Sequence, residues 1–203
     1  MELAAQAPVK GRPREFCTEA ALAAALRVFW GKGYEGASLT DLTEAMGITR
    51  PSLYAAFGNK ESLFRQALDL YEREKLAYIR EALKAPTARQ VAEQLLRGAL
   101  DSMCSDCEPK GCLRVISSVA CGTEAESVRE EVIARRVSSQ RAVIERFEQA
   151  KREGDLPASV SAEDLATYLS TLLQGIAVQA GAGVPRAQLD RLVDTSLSLW
   201  PGR

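Results

Sequence analysis

Apolar residues recur at three- and four-residue spacing along most of the chain, and no stretch alternates convincingly as a strand would, so the pattern predicts helices throughout. Ala20, Ala23, Ala24, Leu26 and the Phe29 and Trp30 pair mark a first helix in EFCTEAALAAALRVFWGKG, closing on Gly31 and Gly33. Ser38, with Asp41 three residues on, opens a second helix that runs to about Met46. Gly47 supplies a left-handed turn and Ile48 an apolar plug. Thr49 caps a third helix with Pro51 in its first turn, ending near Phe57 and Gly58. Asn59 then caps a long fourth helix over 59–84, with Leu63, Phe64, Ala67, Leu68, Tyr71, Leu76 and Ile79 on its buried side.

Beyond Pro86 the pattern predicts five more helices. Thr87 and Gln90 open one that carries Val91, Leu95, Leu96, Ala99, Leu100 and Met103. A short one spans about 113–120, and a long charged one spans 124–153, marked by Val128, Val132, Val137, Ile144 and Phe147 and broken by GDLP. The last two, about 162–180 and 185–199, carry Leu165, Leu169, Leu172, Leu173 and Ile176, then Leu189, Leu192, Val193, Leu197 and Trp200. The expectation is an all-α fold of about nine helices, with a small three-helix domain at 10–58 and a larger one at 59–203, joined by the helix over 59–84.

Composition supports that picture. The chain has 203 residues, 46% of them hydrophobic, enough for a core. Leu and Ala dominate, which favours helix over strand. The start, MELAAQAPVKG, lacks a signal-peptide pattern, and no window approaches the roughly 18 apolar residues of a membrane span, so a cytoplasmic protein without membrane contact is expected. The formal net charge of -1 excludes a generally basic nucleic-acid coat, so any DNA contact must be local. Lys10, Arg12 and Arg14 face only Glu2 near the N-terminus, an arm of about +2.

Residues 38–57, SLTDLTEAMGITRPSLYAAF, meet the needs of a helix-turn-helix. Leu39, Leu42, Met46, Ile48, Leu53 and Phe57 would form its inner face, Ala45 would permit close helix approach and Gly47 would make the turn. Thr49, Arg50, Pro51, Ser52 and Tyr54 are left at the outer start of the third helix, where a recognition helix meets the major groove. Arg50 is the candidate for reading a guanine edge, or else a solvated residue touching phosphate alone. Thr40, Tyr54 and Lys60, near helix N-termini, are candidates for phosphate contact, with Arg12 and Arg14 adding phosphate or minor-groove contacts. An ordinary helical hairpin in a core is the bland alternative.

The stretch AALRVFWGKGYEGASLTDLTEAMGITRPSLYAAFGNKESLF resembles the TetR/AcrR family of bacterial regulators in its aromatic, its Gly-Tyr pair, its turn Gly, its Leu-Tyr and its Lys-Glu. The likeness covers roughly 12–70, and looser matches follow at GCL, EGDLP and YLSTLLQGIAVQA. It implies a transcriptional regulator, usually a repressor, whose second domain holds a pocket for a small-molecule effector that releases the protein from its operator. Tyr78, Leu95, Leu96, Met103, Ile116, Val119, Phe147 and Leu172 are the candidate lining, with plain core the commoner reading of each.

One helix-turn-helix reads few base pairs, so a homodimer on a palindromic double-stranded operator is expected. The last two helices suit the interface through positions 189, 192, 193, 197 and 200, with Gly175, Ala177, Ala180 and Gly181 allowing close approach. A stripe packed inside one chain is the alternative. Cys104, Cys107, Cys112 and Cys121 form C-x2-C-x4-C-x8-C and admit three readings: ordinary thiols, a redox sensor or a metal sensor. The chain has no His, and a single C-x2-C unit is half of the usual zinc pattern, so neither a metal nor a cofactor is assigned. A thiol-redox enzyme using Cys104 and Cys107 would lack a His base, and a helical protein adaptor would show neither turnover nor DNA binding.

Overall fold

The computed structural model describes residues 17–105, 108–119, 122 and 125–202. Ten helices and no strand occur among them: α1 Thr18–Gly36, α2 Leu39–Met46, α3 Arg50–Phe57, α4 Lys60–Lys75, α5 Ala77–Ala82, α6 Ala88–Met103, α7 Leu113–Val119, α8 Glu126–Arg152, α9 Ala162–Gly181 and α10 Arg186–Ser198.

Side-chain caps set the starts of the short helices. The Ser38 hydroxyl accepts from the Asp41 N–H while the Asp41 carboxylate accepts from the Ser38 N–H, a complete capping box. Thr49, Asn59, Thr87 and Ser161 likewise accept from the N–H three residues on and open α3, α4, α6 and α9. Gly47, left-handed at φ 65° and ψ 31°, closes α2 and turns the chain toward α3.

Two helix boundaries differ from the sequence reading. The first helix continues past Gly31 to Gly36, but Gly33 within it stands at φ 72° and ψ 175°, a kink open to glycine alone. The expected helix over 59–84 is broken at Leu76 (φ -110°, ψ 8°), which makes ten helices instead of nine. The break lets α5 lie against α6, where the Tyr78 ring occupies the space a side chain at Gly98 would need. Val137, expected on the buried side of α8, is exposed, and so is Ala45; the buried residues of the two helices are Leu42 and Met46 of α2 and Leu53 and Phe57 of α3.

Aromatic rings join α1 to α4. Phe64 meets Phe29 edge-on at 5.1 Å and Tyr34 at 5.2 Å, and Trp30 meets Tyr71 at 4.9 Å. The Trp30 indole also donates to the Gly111 carbonyl at 3.1 Å, so α1 is tied to the segment before α7. The core is continuous from these rings into the space between α6, α8, α9 and α10.

Leu189, Val193, Leu197 and Trp200 are buried within the single chain, with α10 seated on α6, and Ala177 and Ala180 of α9 are buried as well. Most of the stripe expected at a dimer interface is therefore covered inside the chain, while Leu192 and Gly175 are half-buried and Gly181 is exposed. Tyr168, Val178 and Leu199 are the large apolar residues that α9 and the end of α10 leave exposed. Among the described residues, no helix is long and apolar enough to cross a membrane.

Candidate nucleic-acid interface and interhelical cavity

Leu42 and Met46 of α2 and Leu53 and Phe57 of α3 are buried, which turns the polar residues of both helices outward. Thr40, Thr49, Arg50, Pro51 and Tyr54 are exposed, and Ser52 is partly so. Arg50 Nη2 donates to Thr40 Oγ1 at 2.9 Å, which joins the starts of α2 and α3. The Thr49 and Ser52 hydroxyls lie 3.0 Å apart, and Thr49 Oγ1 accepts from the Ser52 N–H. Arg12 and Arg14 lie outside the described residues.

Lys60 sits at the edge of this surface. Its ammonium lies 4.6 Å from the Tyr34 ring centroid, and partial burial pushes its pKa down while Glu35 pulls it up. Two residues that the sequence reading missed brace the head. Tyr34 carries Lys60, and Lys32 Nζ lies 2.7 Å from Asp41 Oδ1. Lys32 is the largest cause holding the Asp41 carboxyl down to about 2, ahead of the Ser38 N–H and hydroxyl.

In the larger domain a cavity of about 100 Å³ lies between α5, α6, α7, α8 and α9. Tyr78, Leu95 and Met103 line it. Leu96, Ile116, Phe147 and Leu172 do not, for reasons of helix face. Phe147 packs on Trp200 at 5.7 Å, Ile116 points to Gly33 of α1, Leu96 is fully buried in the core off the cavity wall, and Leu172 packs on the core beside the lining residues Leu169 and Leu173. The Val119 side chain lies outside the described residues. The lining is more polar than the apolar candidates implied: Arg114, Arg136, Ser139, Gln140, Ser170 and Gln174 all contribute. Arg136, Ser139, Gln140 and Val143 recur at helical spacing on α8, a signal that a search for apolar positions passes over.

Cys112, just before α7, also lines the cavity, and the Tyr71 hydroxyl donates to its sulfur at 3.3 Å. Burial raises the Tyr71 phenol well above its ordinary value, with Cys112 next in effect. Cys17, Cys104 and Cys112 are free thiols. Burial pushes the Cys104 thiol up, against the pull of Arg186 and Lys110, so it is a poor thiolate near neutral pH. Cys107 and Cys121 lie outside the described residues.

A capped helix pair with an outward polar face, mounted on a larger helical domain that encloses a cavity, defines a helix-turn-helix transcriptional regulator. Residues 21–67 match the profile of the bacterial regulatory proteins of the tetR family, and residues 92–195 match that of the tetracyclin repressor-like C-terminal domain. The chain belongs to the TetR family. It is 31% identical over 195 residues to the transcriptional repressor ComR of Escherichia coli K12, covering 95% of this chain and 92% of that one. It is also similar to a cysteine-substituted form of the TetR family regulator CifR, solved with 26-base-pair double-strand operator DNA. That likeness has 46% identity and a TM-score of 0.88 over 94% of this chain and 100% of that one. A TetR family regulator from Agrobacterium tumefaciens, 19% identical with a TM-score of 0.77 over 91% of this chain and 97% of its own, shares the fold.

Proposed function

We propose that this regulator is a cytoplasmic repressor that binds a palindromic double-stranded operator as a homodimer and leaves it when a small molecule enters the cavity. Residues 10–58 serve as the DNA head and 59–203 as the effector and dimerisation domain, with α4 as the link. Arg50 reads a base, while Thr40, Thr49, Ser52, Tyr54 and Lys60 hold phosphates beside it, with Pro51 shaping the start of α3. The repressor name of ComR and the operator DNA bound by CifR support this assignment.

The observation that carries the effector reading is the position of α7. Cys112, Arg114 and Val115 at its start line the cavity, and Ile116 beside them would stand 3.4 Å from a Cβ at Gly33 in α1. A ligand that shifts this turn moves the support beneath α1 and so the angle of the DNA head. It can shift the equilibrium only by as much as its affinity differs between the two arrangements.

The test is fluorescence anisotropy with duplex DNA selected from a random-sequence pool by the purified protein. Two-fold related half-sites, steep salt dependence and weaker DNA binding with the cavity occupied are expected. Ile116→Ala should keep ligand binding and lose much of the release. DNA affinity that no cavity-bound molecule alters would remove the effector role.

A further inference from the structure

The charge of the cavity wall says more about its ligand than its apolar residues do. We propose that the ligand is a small organic anion, a monocarboxylate with a compact apolar body, held by Arg136. The proposal rests on the reading of this cavity as the effector site.

Two guanidinium side chains, Arg114 and Arg136, line the cavity, and no carboxylate lines it among the described residues. Arg114 is compensated from outside, with Nη1 3.4 Å from Glu72 Oε1 and 3.2 Å from Ser139 Oγ. Arg136 is not. Its Nη1 donates to the amide oxygen of Gln174 at 3.0 Å, and it forms no ion pair with any described residue. The acidic groups at the junction of α4 and α8 are already engaged, since Glu131, Asp69 and Glu72 all bind Arg135.

A part-buried guanidinium with a neutral amide as partner leaves charge uncompensated, and a carboxylate is the ligand whose two oxygens match its fork. Ser139, Gln140 and Ser170 line the same wall and can complete the acceptor's hydrogen bonds. Burial raises the Tyr78 phenol above its ordinary value, so it stays a donor rather than a second anion. Ile79, Leu95, Val143, Leu169 and Leu173 provide an apolar remainder. The volume of about 100 Å³ is well below the ~300–1,000 Å³ of common ligand pockets, which limits the apolar body to a short chain or a single ring.

Calorimetric titration and thermal melting of the full chain test this with sodium butanoate and benzoate against the neutral butanamide and benzyl alcohol. The carboxylates should bind roughly tenfold or more tightly than their neutral counterparts and raise the melting temperature. Arg136→Gln should abolish that preference, while Arg80→Gln, on the exposed side of α5, should keep it. Gln174→Glu should give Arg136 an internal carboxylate, leaving the fold intact and blocking the added one. Equal binding of neutral and charged probes, or undiminished carboxylate binding by Arg136→Gln or Gln174→Glu, would overturn the proposal. The two readings fail separately. A carboxylate that binds through Arg136 without changing DNA affinity upholds this proposal and removes the effector role, whereas neutral molecules that bind and release DNA while carboxylates stay inert do the opposite.

Discussion

Arg50 is oriented without DNA, because its guanidinium donates to Thr40 across the two helices of the motif. In the proposed role, that contact would lower the entropy lost when the guanidinium meets a base. Arg50→Ala should weaken operator binding by roughly 1–3 kcal/mol and relax the preference at one base pair. Titrations on the operator and on its single-base variants check this, and uniform weakening on every sequence would reassign Arg50 to phosphate. Asp41 carries a pH prediction. Its folded carboxyl titrates at about 2, below the ordinary 3.8, so its stabilising contribution is full above the ordinary value and is lost as pH falls through about 2. An NMR titration should find that midpoint, and Lys32→Ala should raise it. The Ser38 and Asp41 pair was legible from its three-residue spacing. Lys32 was not, because it sits in another helix and reaches Asp41 only once α1 and α2 have packed.

At the scale of elements, the kink in α1 is the feature with the clearest energetic signature. Gly33 holds a backbone conformation that a side chain tolerates poorly, so Gly33→Ala should cost ~1–3 kcal/mol in urea unfolding. Gly31→Ala two residues earlier has open space around it and should be neutral or stabilise by up to about 1 kcal/mol. An equal effect at both positions would contradict the kink. The helix boundaries set by caps were readable in the chain, since Ser38, Thr49, Asn59, Thr87 and Ser161 act on their own next turn. The break at Leu76 was hidden, because Leu76 and Ile79 continue the apolar rhythm of α4 and the interruption is imposed by the docking of α5 on α6.

For the whole molecule, the proposed dimer would form on what α9 and α10 leave outside. Tyr168 at 41%, Val178 at 60% and Leu199 at 73% exposure are the large apolar groups available there, once Leu189, Val193 and Leu197 are taken by the core. Light scattering should give the wild type a dimeric mass at micromolar concentration. Val178→Asp should shift it toward monomer and weaken operator binding with little change in helical content, because the affected face carries no core residue. A monomeric wild type that still binds its full operator tightly would reject the arrangement.

The sequence by itself determined the helical class, the cap-defined boundaries and the polar face of the helix-turn-helix. All three rest on interactions within a few residues, where spacing alone fixes which side chains meet. Tertiary structure decided the rest. It buried Leu189, Val193 and Leu197 inside the chain, turned Ile116 from the cavity toward α1, and brought Arg114, Arg136 and Gln174 from three helices to one wall. An amphipathic pattern says that one face is covered, and only packing says what covers it.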